Sequence, residues 1–211
     1  MFLCHIVFSS EASRYTSRAL LLILFSMDRS MTEHFKGKYE VELKYRLTSK
    51  TQFLSYLQAM NPEVMLEDNL EHDCYFDCVG NPLKNQNKSV CIRNMQPSGI
   101  KLWIVKGPEA DRCEAVNITD SDKAKSMLLT MGFNLVLELR KTRSIYFIGK
   151  FHATVDHLEG LGDFAELAIM TDDESMLEQY KQELLELAAK LRLTDAQLES
   201  RSYREMQTLQ G

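Results

Sequence analysis

The segment Glu40-Val41-Glu42-Leu43-Lys44 places two carboxylates and an ammonium at every second position. In an extended strand these three share one face, with neighbours roughly 6–7 Å apart. Other strand-like segments repeat the feature. Lys141 and Arg143 alternate in one, Asp156 sits in FHATVDHLEG, and Glu166 lies between apolar neighbours in DFAELAI. Arg93 and Lys106 punctuate a hairpin, and Arg112 and Glu114 alternate on the next piece. Three carboxylates suit Mg²⁺ or Mn²⁺, hard ions that prefer oxygen. Lysine and arginine suit phosphate oxygens. Any one of these charges reads as an ordinary solvated strand residue. Taken together, they converge on a polar lumen if the sheet closes into a barrel. Charge in such a lumen is costly unless it is paired or serves a ligand. A bound polyphosphate with its metals would neutralise both sets. Lys106 falls in phase with Leu102 and Ile104, so it joins the lumen only if a barrel end or a bulge re-aims it.

The elements that must carry these residues follow from periodicity. Tyr39, Val41, Leu43 and Tyr45 alternate with the charges and mark a strand. Ser49 can cap a helix through about Met60, and Pro62 stops it. A polar strand near 70–79 follows, with a turn at Gly80-Asn81-Pro82 and a loop over 81–89. CIRNM, the turn Gln96-Pro97-Ser98-Gly99 and IKLWIVK form a hairpin, and Arg112–Ile118 returns as a strand. Thr119 or Asp120 can cap a helix to about Met131, closed by Gly132. Strands then follow at 135–147, 151–158 and 163–170, and a long amphipathic helix at about 173–191. The tail adds a last turn near Tyr203. About eight strands and three helices result, and the short turns make the strands antiparallel.

Composition bounds the rest. The 211 residues suffice for one domain, or one domain with an appendage. A net charge of −5 argues against a nucleic-acid coat, and no apolar run is long enough to span a bilayer. The five cysteines are odd in number and contain no CxxC, so they indicate neither a disulfide framework nor a structural zinc site. Glycine-rich phosphate loops are missing. Residues 1–30, with the apolar runs MFLCHIVF and ALLLILF, read as an atypical leader, disordered or a start-site artefact, ahead of a domain that begins at Met31.

Glu40-x-Glu42-x-Lys44 resembles the ExExK signature of the CYTH, or triphosphate tunnel metalloenzyme, superfamily. Within it the chain is similar to the bacterial class IV adenylyl cyclases. HFKGKYEVELKYR, NMQPSGIKLWIVKGP, RCEAVNI, RSIYFIGKFHATVDHLEGLGDFAELAIMTDD and the closing RSYRE carry the likeness, over about 32–206. The resemblance implies an α+β fold in which a closed eight-stranded antiparallel barrel surrounds a tunnel, with flanking helices, over a single catalytic domain at 31–211. It implies an ATP substrate, cyclic AMP and pyrophosphate as products, and Mg²⁺ or Mn²⁺, two ions per site. Glu40, Glu42 and Glu166 then resemble the metal-binding carboxylates. Lys44, Arg93, Lys106, Arg112, Lys141 and Arg143 resemble the triphosphate-binding cations. Asp156 resembles a lumen acid near the reacting groups, and Glu114 belongs to the lining. A cytoplasmic homodimer without nucleic-acid or membrane partners is the corresponding expectation. A triphosphatase acting on inorganic or thiamine triphosphate is the same-fold alternative; a noncatalytic polyphosphate-binding module is the other. One position departs from the family: Arg140 stands where a glutamate often precedes the Lys-x-Arg pair, and its strand phase puts it on the outer face.

Overall fold

A computed structural model describes residues 34–80 and 82–209. The expected leader at 1–30 lies outside the described residues. The chain forms strands β1 (Tyr39–Arg46), β2 (Glu63–Cys78), β3 (Ser89–Gln96), β4 (Lys101–Lys106), β5 (Cys113–Asn117), β6 (Phe133–Ile148), β7 (Phe151–Leu158) and β8 (Gly162–Thr171). Helices α1 (Lys50–Gln58), α2 (Ser121–Thr130), α3 (Leu177–Lys190) and α4 (Tyr203–Thr208) surround them. All ladders are antiparallel, in the order β1-β8-β7-β6-β2-β3-β4-β5. Among the described residues, no helix is long and apolar enough to cross a membrane.

The expected closed barrel is met only in part. The sheet is open and curled, with β1 and β5 as its edges. The edges touch at one end only, through an isolated Tyr39–Arg112 bridge and bonds from Glu40 N to Asp111 O (2.6 Å) and Cys113 N to Lys38 O (2.8 Å). Further along, β1 meets the C-terminal segment: Tyr45 bridges Leu198, and Glu199 N donates to Lys44 O at 2.8 Å. Five-residue β5 is too short to zip the seam, and residues 198–199 cover part of what it leaves.

The main core lies outside this curl. Val41, Leu43 and Tyr45 turn outward with Val155, Leu167 and Ile169, and bury against Leu57 of α1 and Leu184 and Leu187 of α3. Leu57 and Leu184 are fully buried, each worth about 1.5–3 kcal/mol relative to exposure. A second cluster joins Cys74, Phe76, Val90 and Ile92 to Ala124 and Leu128 of α2, with Trp103 against it. Ser49 caps α1 by accepting from Gln52 N, and Asp120 caps α2 by accepting from Lys123 N. Ser202 and Glu205 form a reciprocal capping box that starts α4.

Several elements run longer than their sequence signals. β2 begins at Glu63, where alternation is absent, because β6 pairs with it through three register irregularities. The loop expected at 81–89 contains a 3-10 turn at Leu83–Gln86. The long C-terminal helix starts as a 3-10 turn at Glu174–Met176, capped by Asp173, before α3. Gly107, which follows β4, has a positive φ of 87°, and a Cβ there would meet Asn87 O at 1.7 Å. Glycine is therefore required where these two loops cross.

Candidate active site

Putting the apolar face of β1 outward sends its charges inward. Glu40, Glu42 and Lys44 line a cavity of about 1910 Å³ enclosed by the curled sheet. Arg93 of β3, Lys106 of β4, Lys141 and Arg143 of β6 and Glu166 of β8 line the same cavity. Asp156 lies one layer deeper, fully buried, behind Arg143.

The charges are paired, most of them in one linked network with Glu40 and Lys106 as a separate pair beside it. Lys44 Nζ stands 3.4 Å from Glu42 and 3.2 Å from Glu166. Lys106 Nζ bonds Glu40 at 2.8 Å. Arg143 donates through Nε to Asp156 (2.6 Å) and through Nη2 to both Asp156 and Glu166. Arg93 grips Asp73 with two bonds, 2.6 and 2.8 Å, and reaches Glu71 at 3.2 Å. Lys141 Nζ sits between Glu71 (2.8 Å) and Asp73 (3.2 Å). Tyr203 from α4 donates to Asp156 at 2.8 Å, and its ring lies 4.5 Å from Lys44 Nζ.

The acids divide by environment. Burial opposes ionisation of Glu166, yet Arg143 and Lys44 outweigh it and hold its pKa far below the usual range. Burial opposes ionisation of Asp73 and Glu71 too, and Arg93 and Lys141 likewise override it. Glu40 is lowered against its own burial by Lys106 and then His152. Glu42 moves the other way: burial and the nearby Glu166 carboxylate push it up, and Lys44 offsets only part of that. Burial also raises Asp156, against the pull of Arg143.

Two expected lining residues are not brought to the network. Arg112 pairs with Glu114 at 3.0 Å, beside the start of β1. Cys113, Ala115 and Asn117 are the β5 residues that face the cavity, so alternation turns Glu114 outward. The expectation of a lumen Glu114 is therefore corrected, and Arg112 shares its outward phase. Lys106 needs no bulge. Leu102 and Ile104 line the cavity with it, because on β4 the outward face, with Trp103, is apolar too and packs toward α2. Arg140 is exposed and paired in register with His72, away from the cavity.

Sequence reasoning missed Glu71, Asp73, His152 and Tyr203. The signal for the first two was present: Glu71, Asp73, Tyr75 and Asp77 alternate along what reads only as a polar strand. His152 shares the phase of Asp156 on β7; it is nearly fully buried, 3.8 Å from Glu40. Tyr203 carried no local signal, since only tertiary folding returns α4 to the cavity.

Comparison with known proteins agrees with this geometry. The chain belongs to the CYTH domain family, which matches residues 38–203. It is 63% identical over 175 residues to adenylate cyclase CyaB of Aeromonas hydrophila, covering 83% of this chain and 92% of that one. A solved structure from Vibrio parahaemolyticus superposes with a TM-score of 0.79 at 50% identity, covering 82% of this chain and 99% of that chain. A Hippeastrum protein, described as having a dominant triphosphatase activity, shares the fold at 16% identity and a TM-score of 0.57, covering 81% of this chain and 96% of that one.

Proposed function

We propose that this chain is an adenylate cyclase that converts ATP into 3′,5′-cyclic AMP and pyrophosphate. The ribose 3′-hydroxyl attacks the α-phosphorus, its proton leaves, and pyrophosphate departs in line. The 63% identity to the Aeromonas cyclase, over nearly its whole length, carries this reading. The cavity supports it with cations for a triphosphate and acids for metal.

The donor set fits a hard divalent ion. Glu40, Glu42 and Glu166 offer only oxygen, and Glu42 is a carboxylate whose charge the protein cations leave partly uncompensated. These three residues would hold Mg²⁺ or Mn²⁺, with two ions as the proposed number. When bound, such ions supply Lewis acidity that eases ionisation of the hydroxyl and offsets phosphate charge.

The chain's own groups bind and orient. Lys44, Arg93, Lys106, Lys141 and Arg143 each pair with a carboxylate, so a triphosphate must compete for them. Divalent ions on the acids would relieve that competition. The five cations would then grip the β and γ phosphates and stabilise charge on the departing pyrophosphate. Asp156, fully buried behind Arg143 and held by Tyr203, is proposed to position the Arg143 guanidinium, and the 3′-hydroxyl proton leaves to solvent. Tyr75, Cys91, Leu102, Ile104 and Cys113 form an apolar patch on the β3–β5 side, a surface suited to the nucleoside. Trp103 turns away from the cavity and serves packing. A cytoplasmic homodimer of a single catalytic domain at 31–211 belongs to the same proposal.

Incubation of the purified protein with ATP and Mg²⁺ or Mn²⁺ tests the reaction. Cyclic AMP with pyrophosphate is expected. ADP with phosphate would replace the cyclase by a triphosphatase, and unchanged ATP with tight binding would leave a noncatalytic module.

A further inference from the structure

The back of the β2–β6 ladder carries a second cluster of ligating atoms. Strand alternation turns His72 and Cys74 away from the cavity that Glu71, Asp73 and Tyr75 face. Glu138 of β6 lies opposite Cys74 in register. His72 Nε2 stands 3.0 Å from Glu138 Oε2 and 3.8 Å from Cys74 Sγ. All three ligand atoms lie within 4.8 Å of one another. None of the three residues lines the tunnel cavity.

We propose that His72, Cys74 and Glu138 form a transition-metal site, with Zn²⁺ as the fitting ion, on the outer face of the sheet. A tetrahedral zinc site places nitrogen and sulfur about 3.6 Å apart, and nitrogen and oxygen about 3.4 Å apart. The observed separations of 3.8 and 3.0 Å need only a few tenths of an ångström of adjustment. One imidazole, one thiolate and one carboxylate make a mixed borderline-soft set that favours Zn²⁺ over Mg²⁺ or Ca²⁺. Three protein ligands leave a fourth position for water, and Glu138, 47% exposed, gives the ion its route in. Cys74 is buried beneath α2, which holds its thiol protonated, with Lys125 and Arg140 opposing that shift. Binding forms the zinc–sulfur bond and releases the Cys74 proton to solvent. The resulting thiolate and the Glu138 carboxylate together carry two negative charges, which balance the dication.

Occupancy would pin β2 to β6 behind the tunnel network. Asp73 of β2 and Lys141 of β6 lie on the opposite face of the same two strands, one and three residues from the ligands. The sequence hid the site because cysteine spacing alone shows no CxxC. The pattern is instead a His-x-Cys on one strand completed by an acid on another.

Titration of Co²⁺ into the purified full chain, with Mg²⁺ in excess to hold the tunnel carboxylates, tests the site. A thiolate-to-cobalt charge-transfer band saturating at one equivalent, displaced by Zn²⁺, is expected. His72→Gln should weaken binding beyond the roughly 10–100-fold typical of losing an outer-shell partner. Cys74→Ser should abolish the band, and Glu138→Gln should weaken binding while leaving the band. His72 and Glu138 are partly exposed, so their variants keep the test valid if Cys74→Ser fails to fold. Absence of the band at stoichiometric Co²⁺ would overturn the proposal, as would a band unchanged in His72→Gln. Turnover with Mg²⁺ and no zinc should be unaltered in His72→Gln, which separates this site from the tunnel.

Discussion

The two walls of the tunnel are built on opposite plans. The wall of β1, β2, β6, β7 and β8 is charged inside, and its outer face is apolar behind β1, β7 and β8 but carries His72, Glu138 and Arg140 on the β2–β6 ladder. Glu40, Glu42, Lys44, Glu71, Asp73, Lys141, Arg143, Asp156 and Glu166 face in, and the main core packs behind most of them. The wall of β3–β5 is largely apolar on its inner face too. Cys91, Met95, Leu102, Ile104 and Cys113 face the cavity, interrupted by Arg93 and Lys106. The charged wall must keep its acids and bases paired to stay folded, whereas the apolar wall is stable without a partner. On the function proposed above, metal binding falls to the first wall and nucleoside shape to the second, with Arg93 and Lys106 of the second wall joining the phosphate grip.

The largest effect is expected at Arg143, which serves two buried acids at once. Arg143→Leu strands Asp156 and Glu166 without their guanidinium. Removing one partner of a buried pair costs about 3–5 kcal/mol, so a large drop in Tm is expected together with lost turnover. A normal Tm in denaturation would mean that the wall is held by packing and not by its ion pairs.

Glu42→Gln should separate function from stability. A lost metal carboxylate is expected to lower kcat by about 10²–10³-fold, the range for removing one electrostatic contact to the transition state. Stability should hold or rise, because Glu42 is the acid that burial and Glu166 disfavour. Wild-type turnover of the folded variant at limiting Mg²⁺ would remove Glu42 from the metal site.

Acid titration sharpens the same contrast. Glu40, Glu71, Asp73 and Glu166 have lowered pKa values in the folded state. Their stabilisation is present above the ordinary carboxylate range, begins to fall below roughly pH 5 and is fully lost only as pH passes through their lowered folded values. Glu42 has the opposite sign: its penalty is present at neutral pH and is relieved as pH falls through its raised value. Thermal melts across pH should therefore show any Tm advantage of Glu42→Gln shrinking toward acid. A constant difference would contradict the raised pKa.

On the apolar wall a smaller effect with a different signature is expected. Ile104→Ala should raise the KM for ATP by about tenfold, the scale of lost apolar contact in a pocket. Inhibition by inorganic tripolyphosphate, which has no nucleoside, should stay unchanged. Equal weakening of both would place the triphosphate, not the nucleoside, against Ile104.

How much of this was legible depended on the wall. On β1 the alternation of Val41, Leu43 and Tyr45 with Glu40, Glu42 and Lys44 defines two faces, and the strand, its phase and the inward charges follow. On β4 both faces are apolar, so periodicity cannot tell which is inside, and Lys106 looked misplaced beside Leu102 and Ile104. Glu71 and Asp73 were readable as alternation but not as network members, since their partners come from β3 and β6. Tyr203 reaches Asp156 across a sequence separation of 47 residues, and no local pattern encodes such a contact. The seam stayed hidden for a similar reason: the shortness of β5 and its partial replacement by residues 198–199 are tertiary facts.

The smallest effect is expected at Glu114, and it tests where the network ends. Family resemblance puts this carboxylate in the lining, whereas Cys113 and Ala115 occupy the inward phase of β5. Glu114 is half exposed, and its partner is the similarly accessible Arg112. Solvent screens such a pair, so its loss removes little. Glu114→Gln should keep kcat and KM within about twofold of wild type, as for most surface substitutions. A loss approaching that of Glu42→Gln would require β5 to rotate its phase during turnover, bringing Glu114 and Arg112 inward at an edge strand that the sheet leaves mostly unpaired.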